Sequence, residues 1–328
     1  MRLAGGLLGF LIILTTGGCD GDGGTGENGG GGTAGIGATG GIGGGGSGGT
    51  AVTRVWHGAV LIEQDDVGDA QEPRLAGSRA GNAVVVWLHL VGERNDVWAN
   101  THDTATGWQA AQPIEQRDGD ADAPRAAMSP DGRHAMAVWS QPDEGTIDNV
   151  WVNRYEGLWR SQGTILDLDN GWLAGAPQVV MYPGGAAKVV WIEQFRLERA
   201  VWANRFTPNI DPVLERWWGA ERIDDPGTTL TDTDELVLVG YGDSGATAAW
   251  REEEELIGNL DFWSSHYDAA TGQWAEPELV ETLDGVATAP RVSLDADGNA
   301  IAVWRQRDDT LEPVSYTHLT LPTTIKPW

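Results

Sequence analysis

Tryptophan recurs in this chain with a period of about 50 residues, and that period restricts the fold more than any other feature. One Trp ends an apolar run at Trp87, Trp139, Trp191, Trp250 and Trp304, at steps of 52, 52, 59 and 54 residues. The surroundings repeat as well. Pro73-Arg74-Leu75 leads through Gly81-Asn82 to Val84-Val85-Val86-Trp87, and Pro290-Arg291-Val292 leads through Gly298-Asn299 to Ile301-Ala302-Val303-Trp304. Related starts are Pro124-Arg125 and Pro177-Gln178, whereas the fourth copy reads Glu235-Leu236-Val237-Leu238-Val239. A second Trp follows 11 to 13 residues later, at Trp98, Trp151, Trp202 and Trp263. A third follows at Trp108, Trp159, Trp218 and Trp274.

Each unit offers four short strands. The second, of the Ala-Val-Val-Val-Trp type, is apolar on both faces, as a strand sandwiched between neighbouring sheets must be. The third alternates, with Trp and Asn on one face and small apolar residues on the other. Turns such as Asp131-Gly132, Asp297-Gly298 and Gly81-Asn82 supply residues that tolerate positive φ in tight hairpins. Four antiparallel strands in a unit of this length mark a propeller blade. The chain is therefore expected to be all-β, a β-propeller of four full blades plus parts of others. Trp56 precedes Ile62-Glu63 as Trp108 precedes Ile114-Glu115. Residues 54–63 thus read as a lone fourth strand, able to complete the last blade and close the ring, which would remove exposed sheet edges.

The N-terminus reads as an address. Met1-Arg2 is followed by an apolar run from Leu3 to Leu14, then small residues up to Cys19. The run is too short for a comfortable transmembrane helix. The segment resembles bacterial lipoprotein signal peptides, although Thr16 stands where that family has Leu. The resemblance implies lipidation at Cys19 and a membrane partner reached through the anchor, in the periplasm or at the cell surface. Asp20 resembles an inner-membrane retention signal of some lineages. Residues 21–50 contain 18 glycines and almost nothing apolar, so they cannot offset their ordering entropy. They read as a flexible tether spanning roughly 30 Å. The expected division is a signal peptide over 1–19, a tether over 20–50, propeller repeats over 51–313 and a tail over 314–328. The stretch Val314-Ser315-Tyr316-Thr317-His318-Leu319 and onward to Thr324 departs from the repeat and resembles a translated sequencing-library adapter.

The formal charge is −27, and lysine occurs only as Lys188 and Lys326. Such a surface repels phosphate backbones, so nucleic acid is not an expected partner. With one cysteine, no intrachain disulfide or Cys-based metal site can form. The six histidines show no paired metal spacing, and no metal or other cofactor is expected.

Several strings invite a chemical reading. Gly242-Asp243-Ser244-Gly245 resembles the nucleophile segment of trypsin-like proteases, but it occupies a hairpin turn position and no partner residues accompany it. Ser293-Leu294-Asp295-Ala296-Asp297-Gly298 partly resembles the Asp-box turns of sialidase-type propellers, which are structural there. Asp295-Ala296-Asp297-Gly298 also echoes a calcium loop whose last acid is replaced by Gln306. The run Glu252–Glu255 reads as a solvated loop. No catalytic residues are assigned.

One pattern recurs in register with the repeat. A hydrogen-bonding side chain stands two residues after each second-strand Trp, giving Trp139/Gln141, Trp191/Glu193 and Trp250/Glu252, with His89 and Gln306 at the ends. Asn153-Arg154 and Asn204-Arg205 recur on the third strand. Indole faces beside Arg, Glu or Gln suit sugars, which stack C–H faces on rings and pair hydroxyls with fixed polar groups. Some propeller lectins bind sugar between blades in this way. The other reading is a repeated polar ladder that satisfies buried groups. Over residues 54–313 the chain resembles Trp-rich propeller repeats of bacterial exported proteins. That resemblance implies a binding module for a glycan or protein at the cell envelope. The alternatives are a sialidase-like or other carbohydrate-active hydrolase and a structural envelope protein.

Overall fold

The computed structural model describes residues 11–12, 59–64, 68–143, 145–167, 171–196, 198–208, 216–224, 235–253, 260–281, 286–295 and 298–307. Cys19, the Gly-rich segment, residues 54–58 and the tail over 314–328 lie outside them. The chain divides into two units, Leu11–Val60 and the remainder, and everything below concerns residues from Leu61 onward.

These residues form a β-propeller. Four blades share one plan. The first strands are Ala70–Gly77, Asp122–Met128, Leu173–Met181 and Val237–Tyr241. The second strands are Ala83–Val91, Ala135–Pro142, Ala187–Phe195 and Gly245–Glu253. The third are Arg94–Asp103, Asp148–Tyr155, Glu198–Thr207 and Leu260–Asp268. The fourth strand is broken into short pieces, such as Gly107–Trp108 and Gln112–Pro113 in blade 1 and Gln273–Trp274 and Glu278–Leu279 in blade 4. A fifth blade begins with Val286–Leu294 and Ala300–Arg307. Each first strand packs beside the first strand of the next blade, so the first strands flank the axis. The segment from Leu61 to Gln64 pairs with no strand of the fifth blade, so the expected ring closure is not formed among the described residues. Its phase is nonetheless that of a fourth strand. Asn100 of blade 1 donates to the Ile62 carbonyl (2.9 Å), as Asn153 of blade 2 donates to that of Ile114 (2.7 Å).

The Trp spacing now has a geometric cause. The first and second Trp of each unit are direct cross-strand partners in the central hairpin: Trp87↔Trp98, Trp139↔Trp151, Trp191↔Trp202 and Trp250↔Trp263. Side chains at such positions share a face and pack together. Trp87, Trp139 and Trp191 are fully buried, and Trp250 nearly so. The core consists of layers between blades. Val84, Val86 and Val97 of blade 1 pack with Trp139 and Trp151 of blade 2. Met136 and Val138 of blade 2 pack with Trp191 of blade 3, and Val190 and Val201 of blade 3 with Trp250 of blade 4.

The recurrent Pro marks a β-bulge. The register of the first strand shifts between Gln71 and Arg74, Asp122 and Arg125, Gly175 and Gln178, and Thr288 and Arg291. At each shift the residue before the Pro has positive φ: Glu72 at 49°, Ala123 at 51°, Ala176 at 51° and Ala289 at 55°. A non-Gly residue rarely adopts that conformation, and a bulge is where the ladder loses a donor that Pro lacks. The Arg that follows turns back onto the Pro carbonyl, at 3.2 Å for Arg74, 2.9 Å for Arg125 and 2.7 Å for Arg291. Blade 4 has no Pro, and its first strand pairs without a shift.

Candidate functional site

The Trp-x-Gln/Glu ladder is assembled inside the seams between blades. Residues i and i+2 of a strand project to the same side. The indole N–H of Trp139 therefore meets Gln141 Oε1 at 2.8 Å, that of Trp191 meets Glu193 Oε1 at 3.1 Å, and that of Trp250 meets Glu252 Oε2 at 3.0 Å. A Trp sealed between sheets needs an acceptor for its N–H, and the ladder supplies one. Gln141 extends the seam. Its amide donates to Glu115 Oε2 of blade 1 at 3.1 Å and to the Gly119 carbonyl at 2.7 Å. A Cβ on Gly119 would stand 2.5 Å from the Pro142 carbonyl oxygen, so only Gly lets this loop come so close.

These six residues present no surface on which a sugar could stack, since Trp139, Gln141, Trp191, Glu193, Trp250 and Glu252 are all buried. The expectation of a solvated loop at Glu252 is corrected too. It lies on the second strand of blade 4, inside the seam. Glu254 and Glu255 lie outside the described residues. Gly242-Asp243-Ser244 is a hairpin turn between the first two strands of blade 4, as expected.

The third-strand pairs behave differently. Asn153 and Asn204 are buried. Asn153 bonds back to blade 1 through Ile114 and also donates to the Arg160 carbonyl at 3.1 Å, while Asn204 Oδ1 accepts the Arg205 N–H at 2.8 Å. Arg154 and Arg205 point the other way, onto aromatic rings of the next blade. The Arg154 guanidinium lies 4.0 Å from the Phe206 ring centroid and pairs with Glu156. That of Arg205 bonds the Tyr267 hydroxyl and lies 5.9 Å from that ring's centroid, while its contact with Trp218, 4.2 Å from the ring centroid, stays within blade 3. Such cation–π contacts join the blades side to side.

An aromatic pair recurs at the outer edge of every blade: His102 with Trp108 at 5.3 Å, Tyr155 with Trp159 at 5.6 Å, Phe206 with Trp217 at 5.2 Å and Tyr267 with Trp274 at 5.6 Å. The third blade thus uses Trp217, and not the expected Trp218, because Trp217 is the residue in register with Phe206. Trp218 points outward and its N–H meets Thr207 Oγ1 at 2.9 Å.

Between blades 2 and 3 these features enclose a cleft of about 390 Å³ lined by Asn153, Arg154, Arg160, Gln162, Phe206 and Trp217. Asn153 and Phe206 form its buried floor, and Trp217, Arg160 and Gln162 are its more exposed groups. Asn153 and Arg154 were legible from the repeat. Phe206 could have been found as the third-strand aromatic of its unit, alongside Tyr155 and Tyr267. Arg160, Gln162 and Trp217 sit on the irregular fourth strand, where the repeat is weakest.

Two carboxyl pairs lie elsewhere. Glu115 stands beside Asp96 in blade 1 and Glu281 beside Asp261 in blade 4. Burial and the neighbouring carboxyl raise both glutamates, Glu281 to about 8. Both pairs belong to the third strand and the end of the fourth in their blades. A buried amine is the other displaced titration. Lys188 is lowered to about 7, first by burial and then by Arg205. Its ammonium lies 3.9 Å from the Tyr267 ring centroid and 4.5 Å from that of Tyr182, and it donates to the Ser244 carbonyl.

No family model matches the chain, and no curated protein matches it. Among solved structures it is similar to a protein of unknown function from Dyadobacter fermentans, with 12% identity, TM-score 0.49, and 80% of this chain and 79% of that one covered. It is also similar to an α-L-arabinofuranosidase of Fusarium graminearum, with 10% identity, TM-score 0.47, and coverage of 77% and 82%. An endo-arabinase from Bacteroides thetaiotaomicron shows 13% identity, TM-score 0.39, and coverage of 72% and 86%.

Proposed function

We propose that this protein is a lipid-anchored β-propeller that binds a glycan at the cell envelope, through the cleft between blades 2 and 3. The observation that carries this reading is the composition of that cleft, in which the half-buried Trp217 stands beside Arg154, Arg160 and Gln162, above a buried Phe206. An aromatic platform takes the C–H face of a sugar, and the guanidinium and amide groups take its hydroxyls. Cys19 would carry the lipid, and the Gly-rich segment would hold the blades clear of the membrane. The buried ladder residues support the cleft by fixing the seam.

A glycan array probed with the purified protein tests the binding reading. A bound glycan should lose about tenfold in affinity, or about 1.4 kcal/mol, in Trp217→Ala. Absence of binding across the array, or full binding by Trp217→Ala, would sink it. Metabolic labelling with a radioactive lipid precursor tests the anchor separately: Cys19→Ala must lose the label.

A further inference from the structure

The face of blade 4 turned toward blade 5 carries three polar groups in series. Thr247 on the second strand and His266 on the third are direct cross-strand partners, with Thr247 Oγ1 at 2.8 Å from His266 Nδ1. The other ring nitrogen, Nε2, lies 3.1 Å from Glu278 Oε1 on the last piece of the fourth strand. Thr247 and Ala249 alternate along one strand, as Phe262, Ser264 and His266 do along the next, so all five project to one side. They line a cavity of about 130 Å³ whose remaining wall includes Leu279, Val292 and Ala302. The same cross-strand position holds Val84/Thr101 in blade 1, Met136/Arg154 in blade 2 and Lys188/Arg205 in blade 3. The fold therefore does not require a hydroxyl beside an imidazole at this position, and blade 4 alone of the four has one.

We propose that Thr247, His266 and Glu278 form an acyl-transfer site that hydrolyses esters of short carboxylic acids. A hydroxyl within hydrogen-bond reach of a base, and the base oriented by a third group, is the arrangement that activates an oxygen nucleophile. An Nε2–H donated to Glu278 leaves Nδ1 as the acceptor for the Thr247 proton. Thr247 Oγ1 forms a bond to the ester carbonyl carbon while its proton passes to Nδ1 and the carbonyl π pair moves onto oxygen. Collapse breaks the bond to the alkoxide, which takes the proton from Nδ1. Water repeats the sequence, releasing the acid and restoring the threonine. The Ser264 hydroxyl lines the same cavity and offers a donor to the oxyanion within it. The cavity holds the volume of about four waters, which suits an acetyl or propionyl group. The site lies in a different seam from the glycan cleft and stands or falls without it.

The test uses the full chain with p-nitrophenyl acetate. The protein should release nitrophenol in a burst, and peptide mass spectrometry should find the acetyl group on Thr247. Thr247→Ser should keep the burst and Thr247→Val should abolish it. His266→Gln should lower kcat/KM by about 10²–10⁴-fold. Glu278 acts through the imidazole as a positioning residue, so Glu278→Gln should lower kcat and leave KM unchanged. A wild-type rate equal to that of Thr247→Val, or acetyl found only on another residue, would overturn the assignment. Melting curves for each variant separate lost chemistry from lost fold, and the Thr247→Ser burst stands even where another variant unfolds.

Discussion

Blades 1 and 4 carry the same carboxyl pair at the same place in the repeat and surround it differently. Asp96 and Asp261 each stand two residues before the second Trp of their unit, and Glu115 and Glu281 each end the fourth strand. In blade 1 the pair is well furnished. Arg94 Nε meets Asp96 at 2.7 Å, the Arg117 N–H meets Glu115 at 2.6 Å, and Gln141 reaches Glu115 from blade 2. In blade 4 the Phe262 N–H, at 3.2 Å, is the donor that meets Glu281. A buried carboxylate is tolerated in proportion to the donors aimed at it. The repeat fixes where the acids sit, while non-repeated neighbours set how many donors oppose the rise that burial imposes on each glutamate.

The largest expected effect lies in blade 4. Between the ordinary Glu value of 4.5 and about 8, folded Glu281 holds a proton that the unfolded chain has released. Folding is then opposed by base: the contribution is full below 4.5, shrinks through that window and is gone above about 8. The loss is on the order of a few kcal/mol. Asp148, Glu221 and Asp224 are also raised by burial and add to the slope. Lys188, lowered to about 7, acts in the opposite sense above that pH, because there the unfolded chain holds the extra proton. Urea midpoints measured from pH 5 to 9 should fall steeply for the wild type and less steeply for Glu281→Gln. Parallel slopes in the two proteins would break the comparison.

The uneven furnishing explains what could be read from the sequence. The blades were legible because their spacing follows from a cross-strand Trp pair, and any hairpin with that pair repeats its period. The Pro-Arg starts were legible as strand starts, but not as bulges, since nothing in the string announces a positive φ at Glu72 or Ala289. Trp217 was misread as Trp218 because two adjacent indoles are equal on paper and only the register with Phe206 separates them. The ladder's polar residues were found, yet their sealing into seams depends on which blade each strand faces. The Thr247–His266 pair has no recurrent signal at all, since its equivalents in the other blades have other chemistry.

Next in size is the junction that furnishes blade 1 from outside. Gln141→Leu removes the acceptor of the Trp139 N–H and one donor of Glu115 together. Each buried group left without a partner costs about 1–3 kcal/mol. The variant should lower the urea midpoint at every pH, and more at pH 8 than at pH 5, because Glu115 then loses a donor that favours its charge. A uniform loss would mean that Gln141 supports only the indole.

The smallest effect converts blade 1 toward blade 4. Arg94 holds Asp96 and also Asp118, at 2.8 Å, and its side chain is about a third exposed. Water screens such a pair, so Arg94→Met should cost only about 0.5–1 kcal/mol at pH 7. Its diagnostic consequence is in the pH profile. Without the guanidinium, Glu115 loses a nearby positive charge that favours its ionised form, so it holds its proton to higher pH. The stability lost on raising the pH should therefore extend to higher pH, as it does for Glu281. Placing Arg94→Met in a Glu115→Gln background should remove that extension while keeping the small uniform loss. An extension that survives Glu115→Gln would assign it to another carboxyl group and separate the two blades for a different reason.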